Sequence, residues 1–463
     1  MKKFTLIFLL LLVICGNSFA QFTKIVDFDG ASKGAYPYGS LYYDGTFLYG
    51  TTSIGGINNI GTVFKVKPDG TGFVKLLDFA GTTNGSNPYG SLIYDGNYLY
   101  GMTVNGGTNN LGTIFKIKSD GTGYIKLLDF NGTTNGANPW GSLISDGTFL
   151  YGMTFGGGAN SMGTIFKIKT DGTGYTKLFE FAGLSIGRNP KGNLFLEGDY
   201  LYGMTSVGGS DNFGVVFKIK TDGTGFTKLL EFDSVTKGKN PYGTLISDGV
   251  YLYGMTSGSG VNSSSSFGTI FKIKPDGTGF FKLMDFDGAT KGKNPYGSLL
   301  ADGTFLYGMT FSGGADNWGT LFKIKNDGTG FTKLMDFGGV ASGMNPWGSL
   351  ISVGTNLYGM TSGGGSGAFS GILFKYGVST LGVSKNLWQN SIKIYPNPSS
   401  GNFNIEIDGN SIGSNVVVYD LLGRKIEDFT LKSTKSKLTL NQGIYLLEIE
   451  NEGNKFVKKL IVN

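Results

Sequence analysis

Six aromatic residues recur immediately after a proline at an almost constant spacing, and their chemistry is suited to binding a ligand. Lys191 occupies the equivalent position once, and the six aromatic residues are Tyr38, Tyr89, Trp140, Tyr242, Tyr296 and Trp347. Tyrosine and tryptophan combine an apolar ring face with a polar atom, so such a set could stack on sugar rings. The alternative is that these rings pack between structural repeats. Lys191 argues against complete burial, because an unpaired lysine is rarely tolerated in a core.

Six basic residues form a second candidate binding site in three consecutive repeats. They are Arg188, Lys191, Lys237, Lys239, Lys291 and Lys293. If their segments lie side by side, these cations could bind an anionic partner such as an acidic polysaccharide. The alternative is an ordinary solvated surface. The formal net charge of +6 over 463 residues is too small to indicate a nucleic-acid-binding protein.

Catalytic chemistry has little support in the sequence. There is no histidine, which excludes imidazole metal ligands and serine–histidine catalysis within this chain. Paired carboxylates could cleave glycosidic bonds, but most aspartates recur in turns, where their side chains cap the backbone. The acids that do not recur show no pairing: Glu197, Asp199, Asp211 and Asp316. We predict no catalytic residue, no metal site and no cofactor, and keep a glycosidase or lyase as the less favoured alternative.

All of these candidates lie in a tandem repeat of 51 residues, with one step of 54. The phrase Pro-aromatic-Gly-Ser-Leu begins, with small substitutions, at Pro37, Pro88, Pro139, Pro190, Pro241, Pro295 and Pro346. Each period holds four β-rich runs bounded by Gly, Asp and Asn, which predict four antiparallel strands, A to D. In the second period they are Gly90–Ile93, Tyr98–Thr103, Thr113–Lys118 and Tyr124–Phe130. A four-stranded sheet that repeats radially is the blade of a β-propeller.

The last period is incomplete, and its missing strand stands at the other end of the repeats. Period seven stops after strand C at Ile372–Lys375, whereas a run typical of strand D occurs at Phe22–Phe28. An unpaired strand C would leave an exposed edge that invites aggregation. We therefore predict a seven-bladed ring that the N-terminal strand closes. The tight Asp-Gly turns of one face contrast with long, variable D–A and B–C loops, which favours the loop face as the binding face.

The first twenty residues resemble a targeting segment rather than part of the fold. Lys2 and Lys3 precede an apolar run, and Ser18 and Ala20 place small residues at a cleavage site, which predicts a secretory signal peptide over residues 1–20. A lipoprotein anchor at Cys15, the only cysteine, is the alternative, although Ile14 before it is too large. No later apolar run approaches the roughly 20 residues of a transmembrane helix.

Residues 391–463 follow a linker at 377–390 and do not contain the 51-residue repeat. Their strand-like runs predict a small β-sandwich. Four motifs, Ile394–Gly401 (Ile-Tyr-Pro-Asn-Pro-Ser-Ser-Gly), Val418–Arg424, Gly443–Leu446 and Lys458–Ile461, resemble the type A sorting domain of the type IX secretion system of Bacteroidota. The resemblance implies recognition by the secretion machinery, passage through the outer membrane, removal of the domain, and release or surface attachment. The alternative is a β-sandwich that only packs on the ring.

The repeats themselves resemble kelch-type blades and, more closely, the Gloeo_Verruco tandem repeat. The motifs are Tyr-Gly-Met-Thr at Tyr100–Thr103 and Gly-Thr-Ile-Phe-Lys at Gly112–Lys116. That resemblance covers residues 22–376 and implies a surface-displayed propeller without an agreed activity. We predict an all-β chain with a propeller at residues 21–376, acting as a secreted or cell-surface binding module for a glycan or a protein. A structural surface-layer component is the alternative.

Overall fold

A computed structural model describes residues 22–258, 267–366, 370–378, 392–397, 399–407, 412–420, 424–451 and 454–462. All regular elements in these ranges are β-strands, and no helix in them is long and apolar enough to cross a membrane. The predicted signal peptide, most of the linker and the expanded loop of the fifth repeat lie outside the described residues. The chain divides into two compact units that separate in sequence between Val378 and Ser379.

The described residues of the first unit form seven four-stranded antiparallel sheets, one for each sequence period. We number the sheets as blades 1 to 7 in chain order. Strands A to D are Tyr42–Tyr43, Leu48–Thr52, Thr62–Val66 and Val74–Asp78 in blade 1; Ile93–Tyr94, Tyr98–Thr103, Thr113–Lys118 and Ile125–Asp129 in blade 2; Ile144–Ser145, Phe149–Thr154, Thr164–Lys169 and Thr176–Glu180 in blade 3; Phe195–Glu197, Tyr200–Thr205, Val215–Lys220 and Thr227–Glu231 in blade 4; Ile246–Ser247, Leu252–Thr256, Thr269–Ile273 and Phe281–Asp285 in blade 5; and Leu300–Ala301, Phe305–Thr310, Thr320–Lys325 and Thr332–Asp336 in blade 6.

Blade 7 is completed by the N-terminal strand, as the sequence predicts. Its strands A to C are Ile351–Val353, Asn356–Thr361 and Ile372–Gly377, and strand D is Phe22–Asp27. Strand D pairs antiparallel with strand C, with Phe22 opposite Tyr376 and Asp27 opposite Ile372. Phe28 then packs edge-on against Phe64 of blade 1, with ring centroids 5.2 Å apart. The prediction of an all-β propeller closed by the N-terminal strand is confirmed.

The core of the ring lies between the blades, where the recurring apolar residues of strands B and C meet those of the next blade. Between blades 1 and 2, Val63 and Phe79 pack with Leu99 and Phe115, and the rings of Phe79 and Phe115 meet edge-on at 5.4 Å. The lysine that recurs in strand C also joins blades. Lys116 of blade 2 donates its Nζ hydrogen to the carbonyl of Thr170 in blade 3 at 2.9 Å, so this repeated charge stabilises the packing of the blades.

Strand A is shorter than the sequence pattern predicts, because the residues before it bond to the neighbouring blade. Gly90 and Ser91 belong to the predicted strand, but the ladder with strand B involves only Ile93 and Tyr94. The backbone N–H of Ser91 donates instead to the hydroxyl of Ser142 in blade 3 at 2.7 Å. All seven blades have such a bond from a backbone N–H to a side-chain oxygen of the next blade. The acceptor is the amide oxygen at Asn193 and a hydroxyl at the other six positions, and the bonds run from Ser40 to Ser91, Ser142, Asn193, Thr244, Ser298 and Ser349, and from Ser349 back to Ser40.

The second unit consists of two antiparallel sheets that enclose an apolar core. One sheet contains Lys393–Tyr395, Asn402–Glu406 and Lys435–Thr439, and the other contains Lys425–Thr430, Asn415–Asp420, Gly443–Asn451 and Asn454–Val462. Phe403, Val416, Leu447 and Leu460 are among the buried residues between them. The sequence pattern missed the strand Lys425–Thr430. It is a mostly exposed edge strand rich in charge, so it lacks the apolar alternation from which strands are predicted.

Candidate functional site

The two long loops of each blade lie together on one face of the ring. In blade 2, Ser86 of the D–A loop and Asn105 of the B–C loop exchange backbone hydrogen bonds of 2.9 and 3.1 Å. The short A–B and C–D turns depend on recurring aspartates. Asp95 accepts the backbone N–H groups of Asn97 and Tyr98, both at 2.8 Å, and Asp120 accepts the N–H of Thr122 at 2.8 Å. These aspartates have the capping role that the sequence predicts.

The residues that follow the loop prolines form a ring around the central axis. They line the central cavity of the propeller together with the glycine and the hydrogen-bonding residue that come after each of them. All seven side chains are half-buried: Tyr38, Tyr89, Trp140, Lys191, Tyr242, Tyr296 and Trp347. They are therefore neither a sealed core between the blades nor a fully exposed surface.

The aromatic members of this central ring touch one another in sequence around the axis. Five neighbouring pairs have ring centroids 4.4–5.1 Å apart: Tyr38–Tyr89, Tyr89–Trp140, Tyr242–Tyr296, Tyr296–Trp347 and Trp347–Tyr38. Tilted and edge-on geometries dominate, which aromatic quadrupoles favour. Burial, together with Tyr89 and Tyr36 nearby, raises the pKa of Tyr38 to about 12. Tyr38 thus stays a neutral hydrogen-bond donor over the whole physiological pH range.

Lys191 fills the one gap between the aromatic side chains. Its Nζ lies 4.9 Å from the ring centroid of Trp140 and 4.1 Å from that of Tyr242, and it donates a hydrogen bond to the hydroxyl of Tyr242 at 2.9 Å. Cation–π contacts of this kind stabilise a partly desolvated ammonium group. Lys191 therefore joins its two aromatic neighbours through cation–π contacts and a hydrogen bond, where the other members of the ring use contacts between aromatic side chains.

The centre of this ring is narrow. The seven glycines after the ring residues bring neighbouring blades into close approach, and a Cβ atom at Gly39 would lie 2.7 Å from the carbonyl oxygen of Gly90. The central cavity has a volume of about 70 Å³, which is small beside the roughly 300–1,000 Å³ of typical ligand pockets. A ligand the size of a sugar would therefore lie mainly across the ring of side chains.

Two further aromatic residues extend the central ring, and sequence reasoning missed both. Phe155 lies 5.6 Å from Trp140, and Phe311 lies 5.0 Å from Tyr296 and 5.4 Å from Trp347. Both follow the Tyr-Gly-Met-Thr motif, at a position that is serine in four of the blades. The available signal was this change from a polar to an aromatic residue within an otherwise regular repeat.

The six basic candidates are placed in neighbouring blades, but most of their side chains already interact with nearby residues of the propeller. All six are half-buried. Lys237 forms an ion pair with Asp233 at 3.3 Å, Lys291 donates to the carbonyl of Asp285 at 3.3 Å, and Arg188 donates to Asn212 at 3.2 Å. Lys239 lies 5.5 Å from the ring centroid of Phe213, and Lys293 bridges to Ser312 through its backbone. Lys191 alone belongs to the central ring.

The four non-recurring acids are distributed over the propeller. Glu197 and Asp199 belong to the A–B hairpin of blade 4, and Glu197 accepts a hydrogen bond from Ser247 at 3.0 Å. Asp211 and Asp316 are exposed in the B–C loops of blades 4 and 6. In the part of the chain that the structure describes, no group of three or more acidic or thiol side chains could hold a metal ion.

Family models match nearly the whole chain. The Gloeobacter/Verrucomicrobia repeat matches residues 15–184, 94–267, 133–305 and 263–410, and the secretion system C-terminal sorting domain matches residues 393–463. Both predicted resemblances are confirmed. The sorting domain directs export through the type IX secretion system to the cell surface or the extracellular space, and it implies an interaction with that machinery. No curated protein matches the chain.

Several solved structures are similar to this chain at low sequence identity. PorZ, an essential surface component of the type IX secretion system of Porphyromonas gingivalis, is 15% identical with a TM-score of 0.47, over 95% of this chain and 60% of PorZ. The GH74 enzyme of Niastella koreensis is 14% identical with a TM-score of 0.50, and the match covers 95% of this chain and 67% of the enzyme. A puromycin-hydrolyzing peptidase of Mycobacterium tuberculosis is 12% identical with a TM-score of 0.48, and the match covers 83% of this chain and 62% of the peptidase. This chain thus spans less than two thirds of PorZ, and these likenesses concern the fold alone.

Proposed function

This chain belongs to the Gloeobacter/Verrucomicrobia repeat family, and we propose that its propeller is a non-catalytic binding module for a glycan outside the cell. The sorting domain brings the protein to the surface or the extracellular space, where polysaccharides are accessible. The observation that carries the proposal is the central ring, in which six aromatic side chains and Lys191 surround the axis while remaining half-buried.

The geometry of the central ring suits a sugar better than a compact apolar ligand. Its aromatic side chains contact each other at tilted and edge-on angles, so several rings present edges and partial faces to the same opening. Tyrosine hydroxyls and tryptophan N–H groups add hydrogen-bond donors beside those apolar surfaces. A saccharide has the matching combination of C–H faces and hydroxyl groups. Because the cavity beneath holds about 70 Å³, we place the ligand across the rim.

The absence of catalysis is part of the proposal and rests on the placement of the acids. Glycoside cleavage needs two carboxyl groups roughly 5–10 Å apart on either side of the bond. Glu197 is hydrogen-bonded to Ser247 in the A–B hairpin region, whereas Asp211 and Asp316 are exposed in the B–C loops of separate blades. The fold itself does not decide whether the protein is catalytic, because a GH74 enzyme shares it.

A second candidate function is a structural role in a surface layer. Apolar side chains at the tips of the long loops are exposed, including Ile57 at 81%, Leu184 at 56% and Val340 at 56%. Such residues could form contacts between copies of the protein or with another surface protein.

A glycan array with the purified protein tests the proposal. We expect binding to a restricted set of saccharides, and we expect the double variant Trp140→Ala/Trp347→Ala to lose it while remaining folded. A mucin and protein array in parallel covers the protein-ligand alternative. An array without any specific signal, together with ordered assembly of the protein on its own, would favour the structural role.

A further inference from the structure

Lys191 introduces a positive charge into a ring that otherwise consists of neutral aromatic side chains. It follows Pro190 and precedes Gly192, as the aromatic residues do in the other six blades. Its ammonium group lies between Trp140 and Tyr242, at 4.9 and 4.1 Å from their ring centroids. The aromatic neighbours therefore fix the position of the charge at the rim of the central cavity.

The ammonium group retains donors for a ligand. A lysine carries three N–H donors, and one of them is used by the hydroxyl of Tyr242 at 2.9 Å. No carboxylate among the described residues lies within ion-pair distance of Lys191. The lysines of strand D differ in this respect, because Lys126 pairs with Asp129 at 2.8 Å and Lys333 with Asp336 at 2.8 Å.

The nearby loops add positive charge on the same side of the ring. Arg188, Lys239 and Lys293 occupy equivalent positions in the loops that lead into blades 4, 5 and 6. The other blades have uncharged residues there: Ala35, Ser86, Ala137 and Met344.

The acids of these loops offset part of that charge. Glu180, Glu231 and Asp233 are paired with Lys177, Lys228 and Lys237, and three further acids, Asp211, Asp287 and Asp316, are exposed in the long loops of this region. The five remaining cations, Arg188, Lys191, Lys239, Lys291 and Lys293, outnumber these three acids. The potential across this part of the rim is therefore positive, which attracts anions.

We propose that the central ring selects an anionic saccharide, whose sugar ring stacks on the aromatic side chains while its acidic group binds the ammonium of Lys191. This inference rests on the proposed glycan-binding function and specifies its ligand class. The acidic group is a carboxylate or a sulfate, both of which accept charge-assisted hydrogen bonds. The aromatic members alone would bind neutral and charged sugars alike, so Lys191 supplies the discrimination.

Calorimetry with matched probes tests this inference. The probes are trigalacturonic acid, its neutral methyl ester and a sulfated trisaccharide of similar size, each titrated into the full-length protein at low salt, where charges act most strongly. We expect a charged probe to bind more tightly than the ester by on the order of tenfold or more, as for a hydrogen bond to a charged group. The carboxylated and sulfated arms show which acidic group is preferred.

Two substitutions separate the charge from the shape of the ring. Lys191→Tyr gives every blade an aromatic residue and should abolish the preference for the charged probe, whereas Lys191→Arg should retain it. Lys333→Ala removes a charge that is paired within blade 6. It should change the affinity for neither the charged nor the neutral probe. Melting temperatures confirm that each variant is folded, and Lys191→Arg keeps the test valid if Lys191→Tyr is unstable.

The possible results distinguish the two proposals. Equal binding of charged and neutral probes, unchanged in Lys191→Tyr, would overturn the selection of anionic sugars and leave glycan binding intact. If the wild-type protein binds neither these probes nor any saccharide on an array, the proposed function itself is wrong.

Discussion

Ser349 donates its backbone N–H to the hydroxyl of Ser40 at 2.8 Å, across 309 residues of sequence. This bond completes the circle of hydrogen bonds around the axis. At the edge of blade 7, Phe22–Asp27 pairs with Ile372–Gly377, which joins the same two ends of the repeats a second time. The ring is therefore closed at its centre and at its periphery by different interactions.

The close approach of the blades at the axis predicts a strict requirement for glycine. A Cβ atom at Gly141 would overlap the carbonyl oxygen of Gly192 in the next blade. Since backbone rather than a flexible side chain is in the way, we expect Gly141→Ala to lower the free energy of unfolding by about 1–3 kcal/mol, the usual cost of overpacking. Chemical denaturation measures the change.

Gly156→Ala in the same blade is the matched control, because the nearest atoms to its added Cβ are 3.9 Å away. We expect this variant to unfold within about 0.5 kcal/mol of the wild type, as for most neutral surface substitutions. Equal stability of the two variants would show that the axis is not closely packed.

The N-terminal strand is predicted to be necessary for a monomeric ring. Removing residues 22–28 would expose the edge of Ile372–Gly377 and delete Phe28, which is fully buried. An open strand edge pairs readily with other chains, so we expect oligomers or aggregates and a lower melting temperature. Light scattering and thermal unfolding measure these effects. A truncated protein that stays monomeric with an unchanged melting temperature would contradict the closure.

The sequence predicts the repeating elements well because their pattern is local. Strands Tyr98–Thr103 and Thr113–Lys118 occur where apolar alternation and flanking glycines place them. The pattern fails where the partner is distant. Ser91 bonds to Ser142 of the next blade, and no local signal separates that bond from a longer strand A.

In the candidate site, too, the repeating residues are predictable from the sequence and the individual contacts are not. The repeat spacing predicts that the six aromatic residues lie together. Phe155 and Phe311 follow a different motif and join them through contacts with Trp140, Tyr296 and Trp347 that the spacing does not predict. The sequence pattern places Lys237 among the basic candidates, whereas in the structure Asp233, four residues earlier, forms an ion pair with it.

The raised pKa of Tyr38 predicts a loss of stability at alkaline pH. Burial raises this pKa from 10.0 to about 12 in the folded protein. Above pH 10 the unfolded chain releases the phenolic proton while the folded protein retains it. The contribution of Tyr38 is therefore complete below pH 10 and is lost as pH rises towards 12. We expect Tyr38→Phe to lose less stability than the wild type over this interval, as denaturant unfolding at a series of pH values would measure. Identical pH dependence would show that Tyr38 titrates normally.

Export is predicted to depend on the C-terminal unit, whereas folding of the ring does not. Residues 393–463 match the sorting domain, and the seven blades are complete without them. A chain that ends at residue 390 should be retained in the cell with an unchanged propeller. Immunoblots of cells and medium, with limited proteolysis of the retained protein, measure both effects. Normal amounts of the truncated protein outside the cell would show that export uses another signal.

Trp140 and Trp347 are predicted to contribute more to binding than to stability. Both are half-buried, and their ring contacts are expected to contribute about 0.5–1.5 kcal/mol per aromatic pair. We therefore expect Trp140→Ala and Trp347→Ala each to weaken glycan binding while the protein remains folded. Phe166→Ala is the contrasting variant, because Phe166 is fully buried between blades and its truncation should cost about 3–5 kcal/mol. Melting temperature and binding, measured on the same samples, separate the two cases. If both tryptophan variants lose as much stability as Phe166→Ala, these side chains belong to the core and the binding site lies elsewhere on the propeller.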